Sequence, residues 1–196
     1  VAKVAKHHFC YEFRSQHKMK AFTWIVVIAV VVIAGLAIFG GGAFPVSGNI
    51  FTQNIGSAIQ VSGAYPALSG NTAAGNGTNG IVIQNQQGEN YTFAAGLPYV
   101  LDSTYTVAAG VTLTIDAGAV VKLRSVGILV VDGALHVIGA ADSQVTFTSY
   151  RDDAAGGDTN GDGSATAPAA GDWRFIAFNQ NAATSTIHHA EIRYGG

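Results

Sequence analysis

The chain has 196 residues, of which only 11% are charged and 48% hydrophobic, with 25 glycines and a mean hydropathy of +0.29. A net charge of −2 offers no basic field for nucleic acid. The single Cys10 excludes an intramolecular disulfide, and the length suits one domain with appendages.

Val1 to Lys20 carries Lys3, Lys6, Arg14, Lys18 and Lys20 against one acid, Glu12. His7, His8 and His17 lie in the same basic stretch. It runs into Ala21 to Phe39, AFTWIVVIAVVVIAGLAIF, which has no charge. As a helix this segment would extend ~28 Å, close to the ~30 Å hydrocarbon core of a bilayer. The positive flank predicts a cytoplasmic N-terminus and an exported remainder, with Trp24 as an interfacial anchor. The competing reading is a signal peptide that starts at Met19 and is cleaved among the small residues Gly40 to Ala43. The apolar core exceeds the usual h-region, which favours a retained single-pass anchor.

Gly40 to Leu97 is rich in Gly, Ser, Asn, Thr and Gln. Ser69 to Gly80, SGNTAAGNGTNG, predicts a flexible tether. Ile59–Val61, Ile81–Ile83 and Tyr91–Phe93 are short β candidates that could cap the domain that follows. Asn76-Gly77-Thr78 and Asn90-Tyr91-Thr92 match the N-glycosylation triplet, which is common by chance.

From residue 98 the pattern is of β-type runs divided by glycine. In VTLTIDAGAVVKLRSVGILVVDGALHVIGAADSQVTFT, Val111 to Thr148, apolar residues alternate with polar ones over runs of four to five. Runs recur too closely for crossover helices, which suits a meander, a sandwich or a solenoid. Val121, Val130, Val137 and Val145 are expected inward, with Lys122, Arg124, His136 and Thr146 outward. Gly110, Gly118, Gly127, Gly133 and Gly139 are expected at turns.

The wording of this stretch, with RDDAAGGDTNGDGSATAPAAGDW after Tyr150 and the closing STIHHAEIRYGG, resembles the opening coils of bacterial right-handed parallel β-helix surface proteins. The resemblance covers roughly Leu97 to Gly196, and the acidic Gly-rich insert ahead of Gly171-Asp172-Trp173 is its most specific part. It implies a mainly β fold: a short right-handed parallel β-helix over 98–196, behind the transmembrane helix and a Gly/Asn/Ser-rich linker. It also implies a secreted or surface-anchored protein with no assigned reaction. Trp173 to Phe178 and Thr186 to Tyr194 would be further strands, with Ile187, Ala190, Ile192 and Tyr194 as core candidates. A coil ending in RYGG normally leads to another, so a partner or further chain is expected to cover that edge.

Asp158-Thr159-Asn160-Gly161-Asp162-Gly163 matches D-x-[DN]-x-[DN]-G, the first half of a calcium loop. Alternate oxygens can converge on one hard cation, while Gly163 permits a sharp turn. Ser164 could add a carbonyl, and Asp152, Asp153 or Asp172 could complete the set. Position twelve is Ala169, not the bidentate Glu of an EF-hand, so no EF-hand is implied. The bland alternative is a solvated turn-rich loop. His188 and His189, as strand neighbours, would face opposite sides and could not share a metal. His189 and Glu191 would share a face, but two ligands do not make a site. The outward charges Lys122, Arg124, Arg174, Glu191 and Arg193 form no recurring carboxylate pair, and no nucleophile elbow, phosphate loop or zinc motif is present.

These readings predict a membrane-anchored extracytoplasmic β-helix protein with a structural or adhesive role, not an enzyme. Its expected partners are the lipid bilayer, through Ala21–Phe39, a protein or further chain over the last coil, and a surface glycan. An accessory single-span subunit of a membrane complex is the second reading, and a carbohydrate-active β-helix enzyme the third.

Overall fold

The computed structural model describes residues 35–196, apart from 41, 85–87 and 183. Among these residues the chain forms eighteen strands, numbered β1 to β18 in chain order, and every strand pairing is parallel. They wind into a parallel β-solenoid of about five turns. One wall is a seven-stranded sheet that runs the length of the solenoid. It comprises β1 (Leu36–Phe39), β4 (Ser57–Ser62), β7 (Thr78–Gln84), β9 (Tyr99–Leu101), β12 (Val120–Leu123), β15 (Val145–Ser149) and β18 (Ala190–Ile192). A second wall stacks β8 (Tyr91–Phe93), β11 (Thr112–Asp116), β14 (Ala134–Ile138) and β17 (Thr186–His188). A third stacks β10 (Thr104–Val107), β13 (Ile128–Val131) and β16 (Phe175–Phe178). The early coils are closed by the pairs β2 (Pro45–Ser47) with β5 (Ala67–Ser69), and β3 (Ile50–Thr52) with β6 (Thr72–Ala74).

The core is a column of lumen-facing side chains in which each coil stacks on the next. Val121 pairs in register with Tyr99 on one side and Phe147 on the other, and all three are buried. Each fully buried side chain of this size contributes roughly 1.5–3 kcal/mol, and only because neighbouring coils cover it. Val137 and Val145 point inward as expected, but Val130 does not. In β13 the buried residues are Leu129 and Val131, in register with Tyr105 and Val107, so Val130 faces out. In a run of four apolar residues, ILVV, alternation alone cannot choose the face. Gly133 permits a tight corner: a Cβ there would lie 2.2 Å from the Val111 carbonyl oxygen.

The solenoid begins well before residue 98. Gly40 to Leu97, expected as linker and cap, contributes β2 to β8, and Ser69 to Gly80 holds β6 and the start of β7. The asparagines that suggest a tether are stacked turn residues. Asn49 donates to the Asn71 side chain 22 residues on, and Asn54 to Asn76, at 2.6–3.0 Å. Asn71 and Asn76 are buried and donate to the Val46 and Phe51 carbonyls, so their polarity is satisfied inside the fold. The buried Asn76 is therefore unavailable to glycosylation, whereas Asn90 is exposed.

Leu36–Phe39, expected as the end of a membrane helix, is strand β1, in register with Ile59 to Ser62. Ile38 alternates into the core while Phe39 faces out, which suits a solenoid wall. The expected tail Val1 to Lys20, with Cys10, and the remainder of the expected helix, Ala21 to Ala34, lie outside the described residues. No helix among the described residues is long and apolar enough to cross a membrane.

At the other end, Thr186 to Tyr194 is two short strands broken at His189, whose φ of 47° turns a corner. This corner replaces the single strand on which His189 and Glu191 would have shared a face. Ile187 and Ile192 sit in register with Val137 and Phe147 but are about half exposed, because no coil among the described residues covers them.

Candidate metal centre

The insert Tyr150 to Asp172, between β15 and β16, folds back over the outer face of the seven-stranded sheet. Lys122 lies beneath it. It projects outward between the lumen-facing Val121 and Leu123, as the alternation predicts, yet its relative exposure is 0%. Its Nζ donates to the carbonyl oxygens of Asp152 and Gly157, each at 2.9 Å. Sequence reasoning places Lys122 on the surface because it cannot see which segment returns over that face.

Asp152 is also buried. Its Oδ2 accepts from Thr148 Oγ1 and from Arg193 Nε and Nη2, at 2.5, 2.8 and 2.6 Å, while Oδ1 accepts from the Ala154 amide. Arg193 also pairs with Glu191 at 2.9 Å. Three strands before β15 in the same sheet, Asn79 on β7 pins the tip of the insert: its amide donates to the Thr159 carbonyl at 2.7 Å and its Nδ2 to the Asp158 carbonyl at 2.8 Å. Gly161, at φ 70°, passes so close that a Cβ would meet the Asn76 carbonyl oxygen at 2.6 Å. At the base of the insert, the Tyr150 hydroxyl bonds Thr78 Oγ1 at 2.7 Å. The Arg124 guanidinium lies 4.2 Å over the Tyr150 ring and pairs with Asp102.

On this platform stand three carboxylates. Asp153, Asp158 and Asp162 each present an oxygen, all within 4.8 Å of one another. Oxygens ligating one calcium at 2.3–2.6 Å lie up to about 5 Å apart, so the spacing admits a shared ion. Asp158 is oriented by the Asp162 and Gly163 amides, at 3.1 and 3.0 Å. Asp162 Oδ2 accepts from Asn160 Nδ2 and Thr166 Oγ1. Asp153 Oδ1 and Asp162 Oδ1 are buried and accept no hydrogen bond. The Asp153 carboxyl is raised above the ordinary aspartate range, first by desolvation and then by Asp158. A cation would relieve both effects. The donor set is hard oxygen, which suits calcium or magnesium rather than zinc or copper.

Of the residues singled out from the motif, Asp158, Asp162 and Asp153 come together, and Asn160 supports Asp162 through its amide. Ser164 is exposed. Asp172 is otherwise engaged: it accepts from Ser149 Oγ at 2.6 Å and the Ala169 amide at 3.0 Å, and pairs with Arg151 at 3.1 Å. These contacts tie the exit of the insert to its entry. Sequence reasoning missed Lys122, Asn79 and Arg193 as supports, because none belongs to a motif.

Burial lowers the Lys122 pKa to about 8, although Asp152, Asp153 and Asp158 oppose the shift. The unfolded lysine keeps its ordinary value near 10.5, so between these limits the unfolded chain binds more protons. Stability should therefore rise as pH increases from about 8 towards 10. Above about 10 the sign reverses, because desolvation raises the phenol of Tyr91, and that of Tyr99 to about 12, while unfolded tyrosines ionise near 10. Urea midpoints measured across this range should pass through an alkaline maximum. A profile that falls steadily from pH 8 would contradict the burial of Lys122 in the folded protein.

No family model, curated protein or solved structure matches the chain.

Proposed function

We propose that this is a membrane-anchored extracytoplasmic β-solenoid with a structural or adhesive role, whose long insert is ordered by a calcium ion. The observation that carries the calcium reading is the Asp153–Asp158–Asp162 group with its two buried, unpartnered oxygens. The apolar stretch that precedes β1, from Ala21, behind a basic tail supports anchoring, and the repeat architecture supports a scaffold presented to a protein or glycan. No reaction is assigned.

With a dissociation constant on the order of 10⁻⁴–10⁻³ M, about 10 mM calcium would stabilise the fold by roughly 1.5–3 kcal/mol. For a domain of this size that raises the melting temperature by roughly 3–10 °C over chelator. The Asp158→Asn/Asp162→Asn double variant should lose the increment. Identical melting curves in chelator and calcium would remove the ion from the proposal.

A second reading, an accessory subunit of a membrane complex, is favoured by the last coil. There Trp173, Phe178, Ile187 and Ile192 line an apolar concavity of about 420 Å³ against which another chain could pack.

A further inference from the structure

We infer that the first coil of the solenoid, residues 35–56, seats in the interfacial layer of a lipid bilayer; this rests on the anchored reading above. Large apolar side chains are bare on this coil: Ile55 is 92% exposed, Ile50 77%, and Phe39 and Phe44 nearly half. No Asp, Glu, Lys, Arg or His occurs from Ala21 through Gly88, so this end of the solenoid brings no charge to desolvate. From Glu89 onward the chain carries five cations and eleven carboxylates, and the insert brings some of these carboxylates back to the coil of Asn76 and Asn79, so an anionic surface limits the solenoid to a shallow seat on its first coil. The uncharged end is also the one joined to the apolar segment.

Length gives the second argument. Because Leu36–Phe39 is strand β1, the apolar residues ahead of it, Ala21 to Gly35, could extend only ~22 Å as a helix, short of a ~30 Å core. Such a mismatch draws flanking residues towards the bilayer, and here the flank is an apolar coil. Depth is limited, because the edge of β1, unpaired among the described residues, needs water or headgroups for its backbone groups. The coil therefore lies among headgroups and upper acyl carbons and does not cross.

The test uses the full chain with Cys10→Ser, carrying Ile55→Cys labelled with an environment-sensitive dye. It is reconstituted in phosphatidylcholine–phosphatidylglycerol vesicles with spin-labelled lipid. A control places the dye at Ala167→Cys, an exposed position on the insert. The expected result is several-fold stronger quenching by lipid at position 55 than at 167, with protection of position 55 from aqueous iodide. A vesicle-bound chain whose position 55 is quenched by iodide and not by lipid overturns the inference and leaves anchoring intact. Self-quenching between labelled copies, without lipid quenching, assigns the face to a second copy and also overturns it. A chain that fails to float with vesicles sinks the anchored reading, and the inference with it.

Discussion

Replacing Asp152 by alanine is expected to cost about 3 kcal/mol of folding stability, seen as a fall of roughly 1–2 M in the urea midpoint. Its carboxylate is 1% exposed and is the shared acceptor for Arg193 and Thr148. Without it, Arg193 keeps only Glu191, and the fully buried Lys122 loses the carboxylate that most offsets its desolvation. Removing one partner of a buried pair costs the desolvation of the other, which exceeds the net worth of the intact pair. Arg193 keeps some solvent contact at 27%, which holds the expected loss at the low end of the usual range. The Asp152→Ala/Arg193→Met double variant should therefore recover part of the loss. A single variant within 0.5 kcal/mol of the parent would mean that the insert does not depend on this carboxylate.

Phe93→Ala should cost more, about 4 kcal/mol. Phe93 is fully buried, stacks on Tyr99 at 4.1 Å between ring centroids with 9° between planes, and meets the edge of Tyr91 at 5.6 Å. Its ring fills the lumen where the β8 wall meets the β9 wall, so truncation leaves a void that coils above and below cannot both close. Thr92→Ala, one residue away but facing solvent, should change stability by less than about 0.5 kcal/mol. Equal effects at the two positions would contradict the lumen assignment. Near-ultraviolet circular dichroism should also report the loss of the stacked pair.

Those two positions also mark what the sequence can and cannot reveal. Strand alternation identifies Val121, Val137 and Val145 as core because each has a polar neighbour in its run, Lys122, His136 and Thr146, that marks the other face. Where the run is wholly apolar, as in ILVV, the pattern is silent and Val130 is misassigned. The early coils escape for a different reason. Four of their strands, β2, β3, β5 and β6, have only three residues, too short to display a period, and their corners are asparagines whose stacking needs partners 22 residues away. The acidic loop was legible because two of the three grouped carboxylates, Asp158 and Asp162, lie in one short motif. Asp172 looked equivalent by charge, yet Arg151 and Ser149 claim it. What held the loop in place was illegible, since Lys122 and Asn79 lie on strands 30 or more residues from the segments they bind.

The insert has a consequence for how the solenoid comes apart. In a linear stack each coil senses only its immediate neighbours, so the array can fray or break in the middle as a chain of weakly coupled units. Here Tyr150 reaches Thr78 across 72 residues and Asn79 reaches Asp158 across 79, while Arg193 grips the same segment from the last coil. The segment thus bridges turns that do not touch one another. Opening any turn it spans breaks contacts in several, so the spanned turns are expected to melt together as one cooperative block.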